Sequence, residues 1–300
     1  MMIVPLLVVV AAVLIRMLLR RNDGRLATAG EVASYTPTVV VRVPRNWPTI
    51  RALGTGEVRR LFSHPLVLIG VALGILSVGL SPGDEAEAYY SLTGNGAAGL
   101  YLPTMTFLAA TLIAARARRN HTTDLLASTP ANNVDRTLAL AVTGVLAAVA
   151  VLAGLLLAYA AYRVFGVEIR RNPGPLELLP LPLTVLGSVT LGSMIGRWLP
   201  FRGAGPLVLF GLVTLSTYLT GDTGHPSTQY FATFVEFQPS DGGNVAVPFH
   251  LIAGHDLYLL GLDAMAVIGA VLHDSRSLRW WVAGFCAVVF TAAMGAWQIS

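Results

Sequence analysis

The sequence predicts an all-α fold, a polytopic bundle of about seven to eight membrane-spanning helices, and three observations point there. Apolar residues make up 54% of the 300 positions and charged residues only 12%, so a soluble domain of this length would lack polar side chains to cover its surface. The apolar residues fall in long uninterrupted runs, and roughly 17 to 25 of them make one helical crossing of a bilayer. Backbone polar groups in lipid must be satisfied within a helix or a closed barrel, so these runs predict helices. The 20 basic residues are all Arg, and they collect in alternate loops, as they do in multi-pass membrane proteins. The same Arg-only, Ala- and Gly-rich bias matches a GC-rich, actinobacterial coding sequence.

The first run, Met2 to Leu19, has no basic segment before it and is followed at once by Arg20 and Arg21. It predicts a retained N-terminal anchor over 1–21 rather than a cleaved signal peptide. Residues 22–64 turn polar, with Pro37, Pro44 and Pro48, and form a linker that leads into a basic amphipathic helix. There Trp47, Ile50, Leu53, Val58, Leu61 and Phe62 make an apolar stripe beside Arg51, Arg59 and Arg60, the pattern of a helix lying in the cytoplasmic interface, although Gly54 and Gly56 weaken it. Spans follow near Pro65–Leu80, Ala97–Ala115, Leu138–Tyr162, Leu176–Ile195, Ala204–Thr220 and Leu257–Leu272, giving a six-span core over 65–272. The runs at Pro65 and Leu257 are short. Residues 273–300 add a C-terminal span at Trp281–Trp297. No repeat links the two halves, which argues against an inverted-repeat secondary transporter.

The arginines set the expected orientation. The segments before Pro65 and between the Ala97 and Leu138 spans are the richest, with Arg116, Arg118, Arg119 and Arg136 in the second, and belong in the cytoplasm. Alternation then puts the loops with Arg197 and Arg202, and with Arg276 and Arg279, inside as well. The acidic stretch Asp84, Glu85, Glu87 and the long loop Gly221–Asp256 fall outside, as do both termini. Arg163, Arg170 and Arg171 break the rule.

The cytoplasmic stretch from Ala115 to Arg136 is the most informative. After Arg116, Arg118 and Arg119, Thr122 or Thr123 caps a short helix through Asp124, Leu125, Leu126 and Ala127, and Pro130 stops it. An apolar pair on a short cytoplasmic helix suits a protein partner; the alternative is a plain solvated loop. The segment TTDLLASTPANNVDRTLA resembles the loop of type-2 ABC exporter permeases in which a short coupling helix docks into the nucleotide-binding subunit. That resemblance implies an interfacial helix before the first core span, matching Trp47–His64, and six core spans, matching 65–272. It also implies a long outward loop of short re-entrant helices between core spans five and six, matching Gly221–Asp256. Within that loop Tyr230, Phe231, Phe234 and Phe237 recur at helical spacing, so a short helix dipping into the outer leaflet is expected. The first and last spans depart from the family pattern. The resemblance further implies an ABC ATPase subunit in the cytoplasm and a second permease copy or paralogue as partners. No P-loop sequence G-x-x-x-x-G-K-[ST] is present, so ATP would be hydrolysed by another chain.

Asp263 stands near the middle of the Leu257–Leu272 run, where an ionisable group is costly and marks a functional site by default. It faces a polar pathway, pairs with an Arg, or lies near water on a short, tilted or partly re-entrant segment. Gly70 and Gly74 permit close helix packing in the first core span. His225, His250, His255 and Asp256 match no usual zinc spacing, and Cys286 is the lone cysteine, so no metal and no cofactor is expected. An intramembrane enzyme acting on a lipid-linked substrate through outward His, Glu236, Asp241 or Asp256 is one competing function, and a membrane scaffold another. Membrane lipid is an expected partner and nucleic acid is not.

Overall fold

A computed structural model describes residues 47–80, 85–93, 97–119, 133–199, 201–221, 226–233 and 247–300, and all of these belong to one compact unit, Val43–Ser300. The N-terminal run over 1–21 and the linker that follows lie outside the described residues. Every element among the described residues is helical: α1 (Trp47–Phe62), α2 (Pro65–Leu80), α3 (Glu85–Thr93), α4 (Ala97–Arg119), α5 (Asn133–Phe165), α6 (Pro180–Trp198), α7 (Ala204–Gly221), α8 (Phe249–Asp274) and α9 (Leu278–Trp297). Two short 3₁₀ turns, Leu176–Leu178 and Pro226–Phe231, precede α6 and follow α7. Among the described residues six helices are long and apolar enough to cross a bilayer, or seven if the bent pair α1–α2 is counted as one span. The chain is thus a multi-pass helical membrane protein. Leu68, Ile75, Leu207, Phe210, Phe285 and Val288 point outward and exposed, an apolar coat suited to lipid and not to water.

α6 sits at the centre and packs against α4, α5 and α8, while α9 lies along α8 and α7 leans on α4. Burial follows that order: 61% of the span ending in α6 is buried, against 11% of α9. Small residues allow the closest approach. Gly192 and Gly196, one turn apart on α6, lie on α4 so tightly that a Cβ would come 2.6 Å from the Phe107 carbonyl oxygen and 2.5 Å from that of Thr111. In the absence of a hydrophobic drive between helices in lipid, such backbone proximity gives the van der Waals contact that holds them. Gly70 on α2 also faces α4, where a Cβ would meet Met105 Cβ at 2.9 Å, and Gly74 is buried as well. The packing face expected at Gly70 is therefore used within the chain, against α4.

Several boundaries differ from expectation for physical reasons. The last core helix begins at Phe249, not Leu257, and runs 26 residues to Asp274. It is preceded by Pro248, whose φ of −55° and ψ of 138° end the extended approach. The outward loop shrinks accordingly, and His250, His255 and Asp256 belong to a helix. Glu85 and Glu87, read as loop, lie in α3. α1 runs through Gly54 and Gly56 without a break. Gly54 is buried, with the Ala139 carbonyl and Val142 of α5 at 3.6 to 3.7 Å from where its Cβ would be, so the missing side chain lets α1 sit close to α5. At His64 the chain turns, and α1 and α2 meet at 55°.

Antiparallel alternation brings Arg60, Arg116, Arg136, Arg197, Arg202, Arg276 and Arg279 toward one end of the bundle, called the arginine-rich end below. The exceptions, Arg163, Arg170 and Arg171, lie at the far end, where Arg171 is neutralised. Its guanidinium donates to Glu177 Oε1 at 2.7 Å and to the Tyr89 hydroxyl at 2.6 Å.

Candidate functional site

Helix periodicity puts two contrasting faces on α8. Gly254 and Gly261 are seven residues apart, and so are Asp256 and Asp263; at about 100° per residue the two pairs point to opposite sides. The glycine face receives α9: a Cβ at Gly254 would meet Gln298 Cβ at 2.9 Å, and one at Gly261 would collide with the Thr291 side chain. The aspartate face turns to α6. There Asp263 lies over Gly187, with Oδ1 2.5 Å from where a Cβ of residue 187 would stand, so the glycine makes room for the carboxylate. Asp274, eleven residues beyond Asp263, falls on the same face.

Asp263 is 7% exposed and lies near the middle of a 26-residue helix, so the segment that carries it is not short and its carboxylate is buried within the protein. Asp263 Oδ2 and both carboxylate oxygens of Asp256 have no hydrogen-bond partner among the described residues. Stability does not call for such groups, since an apolar side chain of similar volume serves a buried site as well or better. Inside a membrane protein such groups are the first candidates for a functional site.

At the arginine-rich end the third aspartate is fully engaged. Asp274 Oδ1 accepts from His273 Nδ1 at 2.8 Å, and Oδ2 accepts from the Thr137 hydroxyl at 3.0 Å and from the Arg197 guanidinium. One carboxylate thus joins the first turns of α5 to the last turns of α6 and α8. Next to it the Trp198 indole donates to the Gly269 carbonyl at 2.9 Å and stands edge-on to the His273 ring at 5.1 Å. Thr122, Thr123, Asp124, Leu125, Leu126 and Pro130 lie outside the described residues; the chain on either side of them ends α4 at Arg119 and starts α5 at Asn133.

The far end has its own network. His255 Nδ1 faces two acceptors, the Tyr230 carbonyl at 3.1 Å and Gln298 Oε1 at 3.3 Å, which assigns its proton to Nδ1. Tyr230 and Phe231 sit in the 3₁₀ turn Pro226–Phe231, and Phe231 packs edge-on to Tyr258 at 5.8 Å; Phe234 and Phe237 lie outside the described residues. Beside α3, Glu177 is 7% exposed and accepts from Arg171 and from the Gly174 backbone N–H at 2.6 Å. The Tyr89 hydroxyl in this cluster is pushed up to about 12, by burial first and by the Glu177 carboxylate next. Among the described residues no three His, Cys, Asp or Glu side chains group as a metal site.

No family profile, characterised protein or solved structure matches the chain. Of the functional candidates, Asp263 was visible in the sequence as a lone charge in an apolar run. Thr137, Arg197 and Asp274 were not, because each stands at a helix end where polar residues are ordinary. The spacing of Asp256, Asp263 and Asp274 by seven and eleven residues is the signal that would have put the three aspartates on one helix face.

Proposed function

We propose that this chain is the membrane-spanning permease subunit of an ABC exporter in the cytoplasmic membrane, driven by a separate ATPase and paired with a second copy or a paralogue. The observation that carries the reading is the order of elements at the arginine-rich end. An amphipathic helix, α1, turns by 55° into the first core span and lies against α5, and the loop resembling a coupling helix joins α4 to that same α5. A partner gripping the loop would pull on the helix whose first turn is tied through Thr137 to Asp274. The unpaired carboxylates between α6 and α8 supply polar groups inside the bundle, which a path for substrate requires and a scaffold does not.

The test is the double variant Leu125→Glu with Leu126→Glu. Removing one docked apolar side chain costs roughly 1.5 to 3 kcal/mol, enough to weaken a subunit contact by about tenfold or more. The variant should still insert and fold, since both positions lie outside the predicted spans. It should fail to co-purify with a partner ABC ATPase and should lose ATP turnover in the assembled complex. Equal recovery and equal turnover for parent and variant would remove the permease reading.

A further inference from the structure

We propose that Asp274 is a releasable clasp that holds the arginine-rich end of the bundle closed, and that a path between α5, α6 and α8 opens there only when it lets go. For what drives the release the proposal rests on the permease reading; for the closure it rests on geometry alone.

The carboxylate is 8% exposed and its partner Arg197 15%, so the pair is largely withdrawn from water, and Thr137 is 2% exposed. Three donors from three helices converge on two oxygens. Hydrogen bonds to a charged group are short and directional, so this junction is either made or broken, unlike the sliding apolar contacts around it. Those contacts bring the helices close at Gly144, which faces Leu186 and Val189, and at Gly269, which faces Met194, so they hold the helices together and leave the polar junction to decide whether the ends are closed. Behind the clasp, on the same face of α8, stand Asp263 and then Asp256 with their unpartnered oxygens. Opening the clasp therefore leads from the arginine-rich surface to the polar seam between α6 and α8 rather than to lipid.

Ala270 is buried, at 2% exposure, one turn inward from Asp274, and reports on closure. In a protein carrying Ala270→Cys and Cys286→Ser, in permeabilised vesicles, a small water-soluble thiol reagent should label position 270 slowly. Asp274→Asn keeps the shape and removes the charge; it should label about tenfold faster. Thr137→Val, which loses one tie and keeps the ion pair, should fall between the two. Arg197→Asp combined with Asp274→Arg should restore slow labelling, a rescue that a merely unfolded protein would not show. Equal labelling of the parent and a folded Asp274→Asn protein would overturn the clasp; should that variant not accumulate, unchanged labelling in Thr137→Val would do the same. The driver is read separately, from the co-purification test above: variants that speed labelling in a protein that never binds an ATPase would leave the closure standing and remove the permease reading.

Discussion

A methyl group added at Gly192 would press on the Phe107 carbonyl oxygen and on Ala110 Cβ, the second at 3.0 Å, and one added at Gly196 on Ala114 Cβ, also at 3.0 Å. Backbone on a packed neighbouring helix cannot swing aside, so Gly192→Ala and Gly196→Ala should each cost about 1 to 3 kcal/mol, read as a lower unfolding midpoint in detergent. Gly211 on α7 has nothing within 4 Å of the same added atom, and Gly211→Ala should leave the midpoint unchanged or raise it slightly, since Ala favours a helix over Gly. A matching loss at all three positions would show that the α4–α6 contact does not decide the effect. Gly187 is a different case, because its neighbour is the end of the Asp263 side chain, which can rotate. The residue types that shape this protein most are thus small ones, whose weight is hard to see in a sequence with 30 glycines.

At the scale of elements, the far-end cluster explains why an arginine stands where the charge rule forbids one. Arg171 is held by Glu177 and Tyr89, and its guanidinium carbon lies 5.0 Å from the Tyr89 ring centroid. Glu177→Gln removes the charge that balances it and should cost about 2 to 3 kcal/mol. The same variant should lower the Tyr89 titration from about 12, because the carboxylate that helps hold the phenol neutral is gone. The sign also fixes the pH window. With the folded value above the ordinary 10.0, the contribution of Tyr89 to stability is complete below that pH and fades as pH rises toward 12. A phenolate difference spectrum between parent and variant reads the shift, and no difference would place Tyr89 outside the influence of Glu177. Helices were legible in the sequence where an apolar run was unbroken: α7 and α9 begin and end within three residues of expectation. α8 was not, because His250, His255 and Asp256 read as loop polarity, and among the described residues only His255 of the three has hydrogen-bond partners on other elements, Tyr230 and Gln298. The same reason hid the junction at Asp274, whose three donors come from positions 137, 197 and 273 and meet only in three dimensions.

Taken as a whole, the molecule is built around a helix that suits its neighbours better than it suits lipid. α8 carries one aspartate at mid-depth and a second two turns away, and each charged residue near a helix centre opposes insertion by about 2.5 to 3.5 kcal/mol. Only residues 275–277 separate α8 from α9, and the glycine face of one is filled by the other. During synthesis this makes the pair a single cargo for the insertion machinery: the polar helix must be held until the apolar one emerges to carry it across. A chain stopped at Ser277 should therefore leave the α8 segment partly uninserted, as scored by a compartment-specific reporter tag on its end, whereas the chain extended to Ser300 should insert fully. Efficient insertion of the shortened chain would mean that α6, already in place, is enough to draw the aspartates in. If the shortened chain instead fails to insert, the extra C-terminal helix, which lines no part of the aspartate seam, owes its place in the chain to assembly of the protein rather than to its working cycle.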